Sequence, residues 1–92
     1  MSDPISRTVT IVNQRGLHAR AASKFATASG QFKSEVTVEK DGQTVTGLSI
    51  MGLMMLAAGI GSEITIHVRG EDAREAIESL TALVESRFGE NE

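Results

Sequence analysis

One histidine, His18, stands two residues after Gly16 and two before Arg20, where a strand-like run gives way to a helical one. A helix N-terminus presents unpaired backbone N–H groups and the positive end of the helix dipole, and both favour a bound anion. A neutral imidazole has a ring nitrogen with a free lone pair and can accept a phosphoryl group there. Positive charge from Arg20 and the dipole disfavours the imidazolium, which keeps the ring nucleophilic near neutral pH. The same features would hold the phosphate after transfer. A cation in a first helical turn opposes the dipole, so Arg20 there calls for another reason. Its guanidinium offers paired donors suited to phosphate oxygens. The chemistry implied is a histidine that carries a phosphoryl group.

The elements that must position this junction follow from periodicity. Thr8–Val12 alternates with β-branched residues and predicts a strand, with Val9 and Ile11 facing inward. Asn13 to Gly16 supply turn residues. His18–Ser29 predicts a helix whose Leu17, Ala21, Phe25 and Ala28 recur at helical spacing, with Gly30 as its stop. Its alanines would let it lie close to a sheet. Ser34–Lys40 and Gln43–Thr46 predict two strands joined by an Asp41-Gly42 hairpin turn. Leu48–Ala58 reads as a helix of two to three turns, capped by Ser49 and stopped by Gly59. Met51, Leu53, Met54, Met55 and Leu56 exceed what one buried stripe needs; half or more are expected in the core, and the rest form an exposed apolar patch beside His18.

Glu63–Arg69 is a fourth strand, with Ile64, Ile66 and Val68 on one face and Thr65, His67 and Arg69 on the other. Asp72 and Glu75 have capping-box spacing. Ala73, Ala76, Ile77, Leu80, Leu83, Val84 and Phe88 then mark a final helix. Glu90–Glu92 reads as a frayed tail. The order is βαββαβα, an α+β domain with a four-stranded antiparallel sheet covered on one side by three helices. Periodicity leaves ferredoxin-like and small regulatory domains open as alternatives.

Ninety-two residues make one domain, spanning 1–92 with a core of about 6–88. With no cysteine there is neither a disulfide framework nor a thiolate metal site. His67 reads as a surface strand residue. No cluster of three or four ligands converges with His18, so no metal and no cofactor is expected. Net charge is −3, with nine basic residues scattered along the chain and no Tyr or Trp, which argues against nucleic acid. No signal peptide or membrane-length apolar run is seen, so a cytoplasmic protein without membrane insertion is expected.

Gly16-Leu17-His18-Ala19-Arg20-Ala21-Ala22 resembles the active-site motif of HPr, the histidine phosphocarrier of the bacterial phosphoenolpyruvate-dependent phosphotransferase system. Ser49-Ile50-Met51-Gly52-Leu53-Met54 resembles the regulatory-serine segment of the same family, in the same order and at the same spacing. The resemblance spans residues 6–88. It implies the open-faced β-sandwich of that family, and it selects among the topologies that periodicity leaves open.

It further implies that His18 accepts phosphate at Nδ1 from phosphorylated enzyme I and passes it to an enzyme IIA component. Arg20 would contact the phosphate. Ser49 would be phosphorylated by HPr kinase/phosphorylase, which would place negative charge on a docking surface. Leu17, Ala21, Leu48, Met51, Gly52 and Leu53 are the implied partner contacts. Most family members carry proline where this chain has Ala21, which predicts a slightly less preorganised His18 loop with transfer retained. Such a protein is a carrier rather than a stand-alone catalyst, and a monomer is expected. A regulatory module of the nitrogen-related phosphotransferase branch is the alternative reading. A small-molecule regulatory domain of the same strand order is a weaker third.

Overall fold

The computed structural model describes residues 3–91. Its elements run β1 (Ile5–Thr10), α1 (Ala19–Ser29), β2 (Glu35–Lys40), β3 (Gln43–Thr46), α2 (Ile50–Met55), β4 (Glu63–Arg69) and α3 (Ala73–Glu85), closed by one 3₁₀ turn, Arg87–Gly89. The four strands form one antiparallel sheet in the order β1-β4-β2-β3. Strands β4 and β2 are central, so each second residue of both can be buried on one face. Val36, Val38, Ile64, Ile66 and Val68 take that face, with Val9 and Ile11 from the first segment. Phe25, Ala21 and Ala22 of α1 and Ala76, Ile77, Leu80 and Val84 of α3 close over them. The opposite face carries Thr65 and His67 and stays open. This is the α+β, βαββαβα open-faced sandwich expected. No helix among the described residues is long and apolar enough to cross a membrane.

Local chemistry explains most element boundaries. Asp41 and Gly42 both take positive φ (51° and 84°), as a two-residue hairpin of that handedness requires. Ser49 caps α2 with its Oγ accepting from the Gly52 N–H at 2.9 Å. Three expectations are corrected. First, β1 begins at Ile5 rather than Thr8 and ends at Thr10. Ile11 still pairs through its backbone, donating to Ser62 and accepting from Gly61, both at 2.8 Å.

Second, α2 stops at Met55, with Ala57 in the left-handed region (φ 54°), well before Gly59. The early stop frees the Ala58 carbonyl to accept from the Leu17 N–H at 2.9 Å. Gly16 makes this approach feasible. It has φ +67°, and a Cβ there would lie 2.5 Å from the Ala58 oxygen. Third, Asp72 does not cap α3 with its side chain. Its carboxylate instead accepts from the Lys33 and Ser34 N–H groups, both at 2.9 Å, and from the Ser34 hydroxyl at 2.5 Å. The Ser34 hydroxyl bond leads in holding its pKa below the ordinary 3.8, followed by the Lys33 N–H. That carboxylate pins the α1–β2 loop to the start of α3.

The chain after α3 also differs from expectation. Phe88 lies beyond the helix, and Arg87, Phe88 and Gly89 take positive φ in succession (62°, 54° and 76°). Left-handed geometry costs a non-glycine residue about 1–2 kcal/mol. Full burial of Phe88 returns about 1.5–3 kcal/mol. The reversal this creates carries the following residues back toward α1.

Candidate functional site

His18 is the N-cap residue of α1, in extended backbone (φ −75°, ψ −179°). Its carbonyl accepts the first helical bond, from the Ala22 N–H at 2.8 Å, while its side chain makes no cap bond. The N–H groups of Ala19, Arg20 and Ala21 therefore have no partner within the helix. The imidazole is swung outward, one-fifth exposed, with Nε2 at 2.6 Å from Oε2 of Glu90. Oε1 of the same carboxylate accepts from Asn13 Nδ2 at 3.0 Å, and that amide also donates to the Gly16 carbonyl at 2.9 Å.

This contact assigns the ring's tautomer. An ionised carboxylate only accepts, so Nε2 of the neutral ring carries the proton and Nδ1 keeps its lone pair. Nδ1 has no hydrogen-bond partner among the described residues. The His18 bond is the leading cause that lowers the Glu90 pKa from its usual 4.5. The Asn13 bond lowers it further, and partial burial opposes both. Glu90 is thus ionised near neutral pH.

Two shallow openings meet at Arg15, and the first also takes in His18. On one side Arg15, Leu17, His18, Met54, Ala57, Ala58 and Gly59 line a depression of about 260 Å³. On the other, Arg15, Arg20, Lys24 and Glu90 line one of about 340 Å³. Arg20 is exposed and makes no hydrogen bond or ion pair with another described residue. Lys24 donates to the Phe88 carbonyl at 2.7 Å, bracing the reversed tail. Three cations beside one carboxylate leave the rim with net positive charge, suited to a phosphate.

Ser49 sits at the start of α2, half-buried, its Oγ engaged as the cap. From that helix only Met54 reaches the His18 opening. The expected partner contacts separate into two groups. Leu48 and Met51 are 62% and 68% exposed, and Ile50, Met54, Met55 and Ile60 are exposed as well. Leu17, Ala21 and Leu53 are instead buried in the core, although Leu17 still lines the depression beside His18. Gly52 lies tight against Ser49 and Val45. Of the apolar run, only Leu53 and Leu56 are core; the three methionines are exposed, fewer buried than expected.

Asn13, Arg15, Lys24 and Glu90 belong to the site and were not singled out from the sequence. The frayed-tail expectation fails at Glu90, which is docked; Glu92 lies outside the described residues. One signal was available: an apolar Phe88 followed by Gly89, past the end of a helix, marks a chain that turns back rather than frays.

Known proteins share both the fold and the motif. The family model described as PTS HPr component phosphorylation site matches residues 5–86. The chain belongs to the HPr family. A phosphocarrier protein HPr of Cupriavidus necator is 49% identical over 88 residues, 96% of this chain and 99% of its own. A phosphocarrier protein NPr of Shewanella violacea is 41% identical over 86 residues, 94% of each chain. The crystal structure of HPr from Thermoanaerobacter tengcongensis superposes with a TM-score of 0.91 at 41% identity, covering 96% of this chain and 99% of that one. Membership of a phosphocarrier family accords with an anion site built around a single histidine.

Proposed function

We propose that the chain carries a phosphoryl group on Nδ1 of His18, received from phosphorylated enzyme I and passed to an enzyme IIA component. One observation supports this most: the Nε2–H of His18 is committed to Glu90, which leaves the Nδ1 lone pair without a partner among the described residues. In the forward step that lone pair attacks phosphorus while the bond to the donor's leaving group breaks. The product ring, bonded to phosphorus at Nδ1 and to hydrogen at Nε2, is positively charged. Glu90 offsets that charge at hydrogen-bond distance. Arg20 and the free N–H groups at the start of α1 would take the phosphate oxygens, aided by Arg15. The chain is a substrate of its partners rather than a catalyst of its own, and it would act in the cytoplasm as a monomer.

Leu48, Met51, Met54 and Met55 would dock the partners, since flexible thioethers adapt to more than one surface. Ser49 phosphorylation by HPr kinase/phosphorylase would place nearly two negative charges beside Leu48. Service in the nitrogen-related branch is the second reading, favoured by similarity to a protein named NPr along nearly the whole chain. The test is phosphotransfer from labelled phosphoenolpyruvate through purified enzyme I. Acid-labile label on the wild type, and none on His18→Ala, is expected. Absence of label on the wild type with an active cognate enzyme I would overturn the proposal.

A further inference from the structure

The open face of the sheet holds a second histidine-centred chain of hydrogen bonds, unconnected with His18. Ser6 on β1, His67 on β4 and Glu39 on β2 stand across three adjacent strands. Ser6 is directly opposite His67 in the register, and Glu39 is on the neighbouring strand. Ser6 Oγ lies 2.6 Å from His67 Nδ1, and His67 Nε2 lies 2.9 Å from Oε1 of Glu39. Because the carboxylate accepts only, Nε2 carries the proton, Nδ1 is the acceptor, and the Ser6 hydroxyl donates to it. The order is nucleophile, base, orienting acid, with each link at hydrogen-bond length. Ser6 is exposed, and the His67 and Glu39 side chains keep 32% and 42% of their surface.

We propose that Ser6 is an activated serine that is acylated by small acyl groups carried on good leaving groups. Oγ attacks the carbonyl carbon, its proton passes to His67 Nδ1, and the leaving group departs with the bonding pair. The resulting imidazolium is held by Glu39 and returns its proton to solvent. A depression of about 220 Å³ lined by Pro4, Glu35, Thr37, His67 and Arg69 offers room beside the base for the acyl group. The N–H groups of the central strand β4 are spent in the ladders to β1 and β2, so β4 supplies no backbone donor to a developing oxyanion. Attack is therefore aided chiefly by the base, and the ester formed persists instead of turning over. Its place on the uncovered side of the sheet leaves the His18 junction free.

The test uses the full chain with p-nitrophenyl acetate, with adducts mapped by peptide mass spectrometry. One acetyl group on Ser6 is expected, and none at that position in Ser6→Ala. His67→Gln should slow Ser6 acetylation by about 100-fold, and Glu39→Gln by about 10-fold, the scale of positioned general-base catalysis. All three positions are on the surface, and undiminished phosphorylation of His18 in the variants would verify their fold. Acetylation confined to lysines or to His18 would overturn the proposal. So would equal Ser6 acetylation in wild type and His67→Gln.

Discussion

Replacing Glu90 by glutamine tests whether the tail sets the protonation pattern of His18. Two donors, His18 Nε2–H and Asn13 Nδ2–H, face the two oxygens of Glu90 at 2.6 and 3.0 Å. Glutamine offers one oxygen and one NH₂ group, so only one donor can be satisfied. If Asn13 keeps the oxygen, the NH₂ faces His18 and favours a ring whose proton has moved to Nδ1, the atom needed for attack. A hydrogen bond to a charged group contributes about 1.5–3 kcal/mol. The partly exposed setting reduces this to about 1–2 kcal/mol, which corresponds to a factor of about 5–30 in the tautomer ratio. Long-range ¹⁵N–¹H correlations of the His18 ring report the tautomer directly, and the rate of transfer from phosphorylated enzyme I reports its consequence. Both should shift together, with transfer slowed about 5- to 30-fold. An unchanged tautomer with transfer within about twofold of wild type, well under 1 kcal/mol, would refute the reasoning.

Gly16→Ala should lower stability by at least about 1–2 kcal/mol from left-handed geometry alone, with the clash on the Ala58 carbonyl adding to it. Thermal unfolding should show a drop of more than about 5 °C for a chain of this size. Ser49→Ala removes the α2 cap and should cost about 1 kcal/mol by denaturant titration, whereas Ser49→Asp should restore most of it. Asp72 has its folded pKa lowered, so its contribution is complete above the ordinary 3.8 and is lost as pH falls through the folded value. An acid titration followed by circular dichroism should therefore show Asp72→Asn less stable than wild type at neutral pH, and the two converging in strong acid. Parallel curves throughout would contradict that account.

The strands, the long helices and His18 were legible because each rests on a local rule. Ile64, Ile66 and Val68 alternate; Ala76, Ile77, Leu80 and Val84 recur at helical spacing; His18 and Arg20 bracket a helix start. What escaped depends on contacts between distant segments. Asp72 has the spacing of a capping box with Glu75, yet its carboxylate is claimed by N–H groups of Lys33 and Ser34. Helix α2 ends early because Ala58 is needed by Leu17, 41 residues earlier in the chain. Leu53 reads equally well as surface or core, since a six-residue helix has too few turns to define a stripe. Glu90 was hidden for a related reason. Arg87 and Phe88 are not residue types that favour left-handed backbone, and Gly89 alone signals the turn that buries Phe88.

The burial of Phe88 also makes the tail a ruler. Phe88 is fixed in the core and Glu90 stands two residues on, so the reach from anchor to carboxylate has one length. An extra residue between them would move the carboxylate by up to about 3.5 Å, more than the whole tolerance of a hydrogen bond. Residues appended after Glu92 would leave that measure untouched. The stretch from Phe88 to Glu90 therefore cannot take a change of length, and a tag belongs beyond it, never within it.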